Sequence, residues 1–391
     1  MEIITINKSF KQNKYHKDIA EIIPRAEHGI VEKNISKNAM HVLRHLHNVG
    51  FDAYLVGGCV RDLLLNRHPK DYDIVTNAHP NQIKKLFRNC RLIGRRFRLA
   101  HIYFGREILE VATFRAGHEG ALQHEARTKD GMVVRDNVYG TIDQDAGRRD
   151  FTINALFYNV ANHTVLDFFE GFRDLQRGKL DVIGEPKLRY QEDPVRMLRA
   201  ARIAGKLGFT LTSRTRKPMR ELSHLLRKVP PARLFDEIVK TFHSGAAQKI
   251  YPLLAKNNLL PQLFPFTEAA SIVKHLLRNT DARIRQHKFV APGFLFAGLL
   301  WDSLMQFWQA EEDGEIPRSV AFDNAVRKVL REQSKYIAIP RRVATVMREI
   351  WRLQRHLEPI RSRLVNKVFE HPRFRAGYDL LLLRAKVDKE L

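Results

Sequence analysis

Apolar positions along the chain change their period near Pro194, and that change divides the molecule. Upstream, short apolar runs dominate: Ala53–Val56, Asp73–Thr76, Leu99–Phe104 and Ile108–Thr113 read as strands, and Pro80–Asn89 reads as a helix between the second and third. Alternation is plain in Glu110-Val111-Ala112-Thr113-Phe114-Arg115. Ahead of these strands, Asn38 to His47 carries Met40, Val42, Leu43 and Leu46 at roughly helical spacing, and Gly50 ends the helix. Residues 1–34 are mainly polar, show no sustained period and are expected to form an irregular leader. The stretch from Arg115 to Asn137 also lacks a period and reads as a long functional loop. After Pro194, Met197, Leu198, Ala201 and Ala204 through Leu207 repeat at helical spacing. Later segments do the same, separated by Pro230-Pro231, Pro261, Pro265, Pro292 and Pro340. The expected fold class is therefore α+β, with a small mixed-sheet head over 35–165, a helical neck over 166–260 and a helical body and tail over 261–391.

Composition narrows the class of partner. With 391 residues the chain exceeds a usual single core. Its 67 Lys+Arg against 43 Asp+Glu leave a formal charge of +24, which favours a polyanion, nucleic acid being the commonest. A basic ribosome-associated or membrane-surface protein has the same balance, so charge alone does not choose. Cys59 and Cys90 are the only cysteines, which excludes a disulfide framework, disfavours a Cys-based zinc site and fits a reducing cytoplasm. No secretory signal is visible at Met1-Glu2-Ile3-Ile4, and the longest apolar stretch, Phe289 to Trp301, is too short and too rich in Gly and Pro to span a bilayer. No membrane association is expected.

The candidate chemistry sits where two strands begin and end. Gly57-Gly58 closes one apolar run, and Asp71-Tyr72-Asp73 opens the next. In extended backbone Asp71 and Asp73 project to the same side, a geometry suited to holding divalent ions between carboxylates, and glycine lets backbone N–H groups approach a triphosphate. Glu110 is a candidate third carboxylate on a neighbouring strand. This is the donor set of two-metal nucleotidyl transfer, with ions about 3.5–4 Å apart. In Arg148-Arg149-Asp150-Phe151-Thr152-Ile153-Asn154 the arginines suit phosphates and Asn154 a ribose hydroxyl, while Asp150 is a further acid that also reads as the N-cap of a helix starting near Phe151. Glu192-Asp193-Pro194-Val195-Arg196 reads as a helix start, with Asp193 and Arg196 sharing a face. Spacing alone favours a structural salt bridge there over contact with a base edge. Arg91, Arg95, Arg96 and Arg98 surround Phe97, which fits either phosphate contact with a stacked base or a solvated turn. His101 shares a strand face with Leu99 and reads as a satisfied buried histidine. The helix Val343–Leu357 sets Arg348, Arg352 and Arg355 apart from its apolar side, as an RNA surface or a solvated face.

Leu55-Val56-Gly57-Gly58-Cys59-Val60-Arg61-Asp62, Asp71-Tyr72-Asp73, Arg148 to Asn154 and Glu192 to Arg196, in this order, resemble the class II branch of the DNA-polymerase-β-like nucleotidyltransferases, which holds bacterial poly(A) polymerases and tRNA CCA-adding enzymes. The resemblance runs from about Ala53 to Arg384. Leu92 to Ile102, Asp136-Asn137, Ala338-Ile339-Pro340-Arg341-Arg342 and His371 to Leu381 resemble the poly(A) polymerase members. It implies template-independent addition of AMP from ATP to RNA 3′ ends, with Asp71, Asp73 and Glu110 carrying Mg²⁺ (Mn²⁺ as an alternative). Asp150 would be a second functional acid. Gly57, Gly58 and Arg61 would hold the triphosphate, and Arg148, Arg149 and Asn154 would contact nucleotide or phosphate. Asp193 and Arg196 match positions that select the base in CCA-adding relatives, which moves the reading of that pair toward base selection. Arg95, Arg96, Arg98, Arg348, Arg352 and Arg355 are the RNA-binding candidates, and mRNA, other transcripts and RNA-degradation proteins the expected partners. The chain departs from the family pattern in Asp167-Phe168-Phe169-Glu170-Gly171, where Gly-Gly is usual, in Asp181, where an arginine is usual, and in ending at Leu391 without the usual basic tail.

Overall fold

The computed structural model describes residues 20–94, 98–116, 138–267, 271–312, 316–357 and 365–387. The chain forms two compact units: Met1–Asp193 with Thr210–Thr215, and Pro194–Phe209 with Arg216–Leu391.

The first unit is built on a mixed sheet of β1 (Glu21–Ile23), β2 (Ala53–Val56), β3 (Asp73–Thr76), β4 (Cys90–Ile93), β5 (Leu99–Phe104), β6 (Glu107–Thr113), β7 (Leu156–Asn159) and β8 (Thr164–Asp167). Their order is β1-β8-β7-β2-β3-β6-β5-β4. Only β3 and β6 pair in parallel, and that central pairing sets Asp73 opposite Glu110 and Thr76 opposite Thr113. The four expected strands are present. β1, β4, β7 and β8 were not expected: each is only three or four residues long and, unlike the equally short β2 and β3, none adjoins the Gly-Gly or D-x-D motif.

The strand alternation is used on both faces. Leu55, Ile74, Val111 and Tyr158 enter one core with Val42, Leu43 and Leu46 of the helix Lys37–Asn48. Val56, Val75 and Phe157 enter a smaller core on the other face with Phe114, Ala146 and Phe168. Asp73 has the parity of Val75, and Glu110 that of Ala112, so both acids lie on this thinner face. The Lys37–Asn48 helix is capped by Ser36, whose Oγ accepts from the amides of Asn38 (3.2 Å) and Ala39 (3.4 Å), a contribution of about 1 kcal/mol. The same hydroxyl donates to Glu107 of β6 at 2.5 Å, tying the cap to the sheet.

Several expectations need correction. The leader is irregular neither at Glu21–Ile23, which pairs antiparallel with Asp167–Val165, nor at Arg25–His28, a short helix; residues 1–19 lie outside the described residues. The helix expected over Pro80–Asn89 stops at Leu86, since Phe87 turns to extended backbone and is buried. Most of the expected loop, residues 117–137, lies outside the described residues. The first unit runs past the expected boundary at 165 to Asp193, and includes a two-stranded parallel pair, β9 (Lys179–Leu180) with β10 (Thr210–Leu211).

The second unit, among the described residues, is helical, and includes the helices Val195–Leu207, Pro231–Phe242, Ala247–Lys256, Ser271–Arg285, Pro292–Leu299, Trp301–Glu312, Arg318–Ser334, Arg341–Leu357 and Phe374–Arg384. Its largest fully buried side chain, Trp351, donates Nε1–H to the Ala297 carbonyl at 3.0 Å, so the indole is satisfied as well as packed. Among the described residues no helix is long and apolar enough to cross a membrane.

Candidate active site

The thinner face of the sheet holds a cleft of about 320 Å³. Val56, Val75 and Ala112 form its floor, Asp73 and Glu110 line it, and Arg115, Asp145, Arg148 and Arg149 complete the lining. A larger hollow of about 520 Å³ near the Lys37–Asn48 helix is lined by residues between Glu32 and Asn48 and contains none of these acids. Although Asp73 is solvent-accessible as a residue, its carboxyl is held above the ordinary carboxylate range. Desolvation is the main cause and the charges of Glu110 and Asp71 add to it, while Arg149 acts in the opposite direction. Like-charged oxygen donors crowded beside an open cleft suit a Mg²⁺ ion, which takes one or two protein carboxylates and completes its shell with substrate phosphates. Among the described residues no group of three His, Cys, Asp or Glu side chains stands ready to hold a metal ion; Asp73 and Glu110 are register partners, and the charge of Asp71 acts on Asp73.

Both glycines of the Gly57-Gly58 turn face an arginine. Gly57 has φ +79°, a backbone state that favours glycine, and a Cβ there would lie 3.5 Å from Arg149 Nη1 and 3.7 Å from Asp73 Oδ2. A Cβ on Gly58 would lie 3.5 Å from Arg61 Nη2. Arg61 is buried and committed: Nη2 and Nε donate to Asp62 Oδ1 at 2.7 and 2.9 Å, and Nη1 donates to Asn154 Oδ1 at 2.9 Å. Asn154 Nδ2 in turn donates to Asp150 Oδ1 at 3.0 Å, which also accepts from the Phe151 amide at 2.9 Å. Arg61 and Asn154 thus brace the glycine turn against the Arg-Arg-Asp segment. The expected N-cap role of Asp150 is not found, because Thr152–Asn154 is a single tight turn that follows Phe151 without a side-chain cap. Cys59 is buried beneath the turn, and desolvation with the Asp73 charge pushes its thiol up to about 12, so it is no nucleophile at neutral pH.

The Glu192–Arg196 segment differs from its expected form. Glu192 ends the helix Pro186–Glu192, and Asp193 follows with extended backbone (φ −147°, ψ 94°), so the two acids do not start a helix. Arg196 lies in the first turn of Val195–Leu207 and Asp193 lies before Pro194 in extended backbone, so the two do not share a helix face. Glu192 instead accepts from Arg189 Nη1 at 2.9 Å. Arg95 and Arg96 lie outside the described residues, and Arg98 is exposed. On the Arg341–Leu357 helix, Arg352 is exposed and bonded to Asp323 (Nη2 to Oδ1, 3.1 Å), Arg355 is half-buried with its guanidinium over the Phe322 ring, and Arg348 is half-buried. That face is partly packed rather than a free row of cations.

Three site residues escaped the sequence reading, and a fourth was read otherwise. His101, expected to be buried, is half-buried, and its Nε2 lies 3.6 Å from Glu110 Oε1, its register partner across β5 and β6. Arg115 ends the alternating run that Glu110 begins, and burial lowers its guanidinium from the usual value, with Asp145 opposing that shift and Arg149 adding to it. Asp145 stands four residues before Arg149, a spacing that was open to reading on a helix. Buried Arg189 donates from Nη2 to the carbonyls of Arg148 and Arg149, both at 2.7 Å, a contact with no local signal in the sequence.

An acid pair on a mixed sheet, a glycine turn and arginine walls suit the class of nucleotidyltransferases, and similarity to known proteins agrees. Residues 53–181 match the poly A polymerase head domain, residues 208–271 the probable RNA and SrmB-binding site of polymerase A, and residues 314–391 the polymerase A arginine-rich C-terminus. Poly(A) polymerase I of Escherichia coli O157:H7 is 48% identical over 383 residues, covering 94% of this chain and 82% of that protein. A CCA-adding enzyme of Lactobacillus helveticus is 39% identical over 216 residues, covering 54% of this chain and 52% of that one. In fold, the chain is similar to the apo form II of a CCA-adding enzyme at a TM-score of 0.66 and 21% identity, covering 94% of this chain and 83% of that one. The chain belongs to the poly(A) polymerase family.

Proposed function

We propose that the protein adds AMP from ATP to RNA 3′ ends without a template, releasing pyrophosphate. The observation that carries the choice of ATP and RNA is the extent of the similarity: it runs through the helical half toward poly(A) polymerases, whereas similarity to the CCA-adding relative covers about half the chain. The Asp73–Glu110 pairing inside an arginine-walled cleft supports the chemistry.

In this reading Asp73 and Glu110, with Asp71 beside them, hold Mg²⁺ or Mn²⁺. Bound there, the metal supplies a lowered pKa for the attacking 3′-hydroxyl and charge neutralisation for the departing pyrophosphate. Gly57 and Gly58 let the triphosphate approach the turn, Arg148 and Arg149 receive its phosphates, and Arg61 with Asn154 keeps turn and arginines in register. Asp150, held by Asn154 and the Phe151 amide, orients the reacting nucleotide. Asp193 and Arg196 select the base. Arg98, Arg348, Arg352 and Arg355, with Arg95 and Arg96, contact RNA, in a cytoplasmic protein that meets RNA-degradation partners.

The test is incubation of purified protein with an oligo(A) primer, Mg²⁺ and each NTP singly. Extension with ATP alone is expected. The second reading, CCA addition, is favoured by the shared sheet and requires that CTP incorporation on a tRNA lacking its 3′ end exceed ATP extension of oligo(A). A non-catalytic RNA-binding role would be revived if Asp73→Ala left extension unchanged.

A further inference from the structure

Arg149 reaches the Gly57 turn with one nitrogen while its other donors are engaged elsewhere. Its Nε and Nη2 both donate to Asp145 Oδ2, at 3.2 and 2.8 Å, and its guanidinium lies 5.3 Å from the centre of the Phe157 ring. Nη1 is the nitrogen that would meet a Gly57 Cβ at 3.5 Å, beside Asp73 Oδ2. Asp145 is itself fixed. It is buried, sits on the helix Ile142–Arg148, and its Oδ1 accepts the Arg115 amide at 3.3 Å. The main chain beneath the arginine is held separately, by Arg189 on the carbonyls of Arg148 and Arg149. An arginine side chain without such a brace spreads over many rotamers, and ordering it carries an entropic cost.

We propose that Asp145 is a positioning residue for nucleotidyl transfer: by engaging the Nε–Nη2 edge of Arg149 it leaves Nη1 directed at the glycine turn, where the triphosphate of the incoming nucleotide is received. This rests on the reading of Arg149 as a phosphate contact. Both Asp145 oxygens are already engaged, by Arg149 and by the Arg115 amide, so its action on the nucleotide runs through Arg149. Its two oxygens have separate tasks, Oδ2 for the guanidinium and Oδ1 for the Arg115 amide. An Asn side chain has the same shape but a single acceptor, so Asp145→Asn turns an amide NH₂ toward one of two groups that only donate.

The experiment is a double-mutant cycle with Asp145→Asn and Arg149→Gln in the full chain. Equilibrium dialysis with labelled ATP and Mg²⁺ in the absence of RNA reads binding, oligo(A) extension reads KM and kcat, and the thermal midpoint reads folding. Asp145→Asn should weaken ATP binding about tenfold, mainly through KM, and should add little once Arg149 is Gln, as expected of residues acting in one network. Additive losses in binding would overturn the proposal, since an independent structural role predicts them. If Asp145→Asn does not fold, Asp145→Glu, which keeps both acceptors but displaces them, enters the same cycle, and additivity there overturns the proposal equally. Wild-type protein that binds ATP but does not extend oligo(A) defeats the polymerase reading and leaves the cycle readable. Wild-type protein that binds no nucleoside triphosphate defeats both.

Discussion

At the scale of single residues, Asp73 carries opposing demands. Its carboxyl is raised above the ordinary range because burial and the charges of Glu110 and Asp71 disfavour ionisation. A group that binds its proton more tightly in the folded state favours folding at pH below its unfolded value, and that advantage is lost as the pH rises through the folded value. At neutral pH the ionised Asp73 therefore works against the metal-free fold, and Asp73→Asn should raise the thermal midpoint of the metal-free protein while lowering kcat by at least about 10²-fold. Adding Mg²⁺ should raise the midpoint of wild type more than that of the variant. A variant that melts lower than wild type in the presence of a chelator would refute this account of the site. The D-x-D and the paired glycines were legible as residues in the sequence. The commitment of Arg61 to Asp62 and Asn154 was not, because a buried arginine and a phosphate-binding arginine look alike until their partners are known.

At the scale of elements, the sequence identified those that carry their own period. The strand Glu110 to Thr113 and the helix Asn38 to His47 followed from alternation and from a spacing near 3.6. β1, β7 and β8 escaped because, unlike the equally short β2 and β3, they adjoin no Gly-Gly or D-x-D motif, and their place depends on the strand beside them. Helix contacts in the second unit depend equally on partners. A Cβ on Gly205 would fall 2.5 Å from Ile250 Cγ1, where the helices Val195–Leu207 and Ala247–Lys256 meet. Gly205→Val should therefore destabilise the protein by about 1–3 kcal/mol through overpacking, despite the gain in helix propensity, with denaturant unfolding as the measurement. An unchanged midpoint would mean that the two helices separate freely.

At the scale of the whole molecule, a formal charge of +24 makes RNA binding a matter of counterion release. The logarithm of RNA affinity should fall linearly with the logarithm of salt concentration, with a slope of about −0.7 for each phosphate neutralised on a single strand. Measured by filter binding on oligo(A), Arg352→Ala should reduce the slope by about the share of one phosphate, since its exposed guanidinium exchanges Asp323 for the RNA backbone, and a slope near zero for wild type would defeat the electrostatic account. The sequence by itself determined the mixed-sheet head, the helical second half and the basic character, and named Asp71, Asp73, Glu110 and Asp150 as candidate acids, because periodicity, charge and short motifs are local properties. Only the tertiary structure decided that Asp73 and Glu110 are register partners, that Asp193 lies outside a helix, and that Asp145, Arg115 and Arg189 belong beside the Arg-Arg-Asp segment. Those facts come from strand pairing and from hydrogen bonds across up to about forty residues, and no window of the chain short enough to show a period contains both partners.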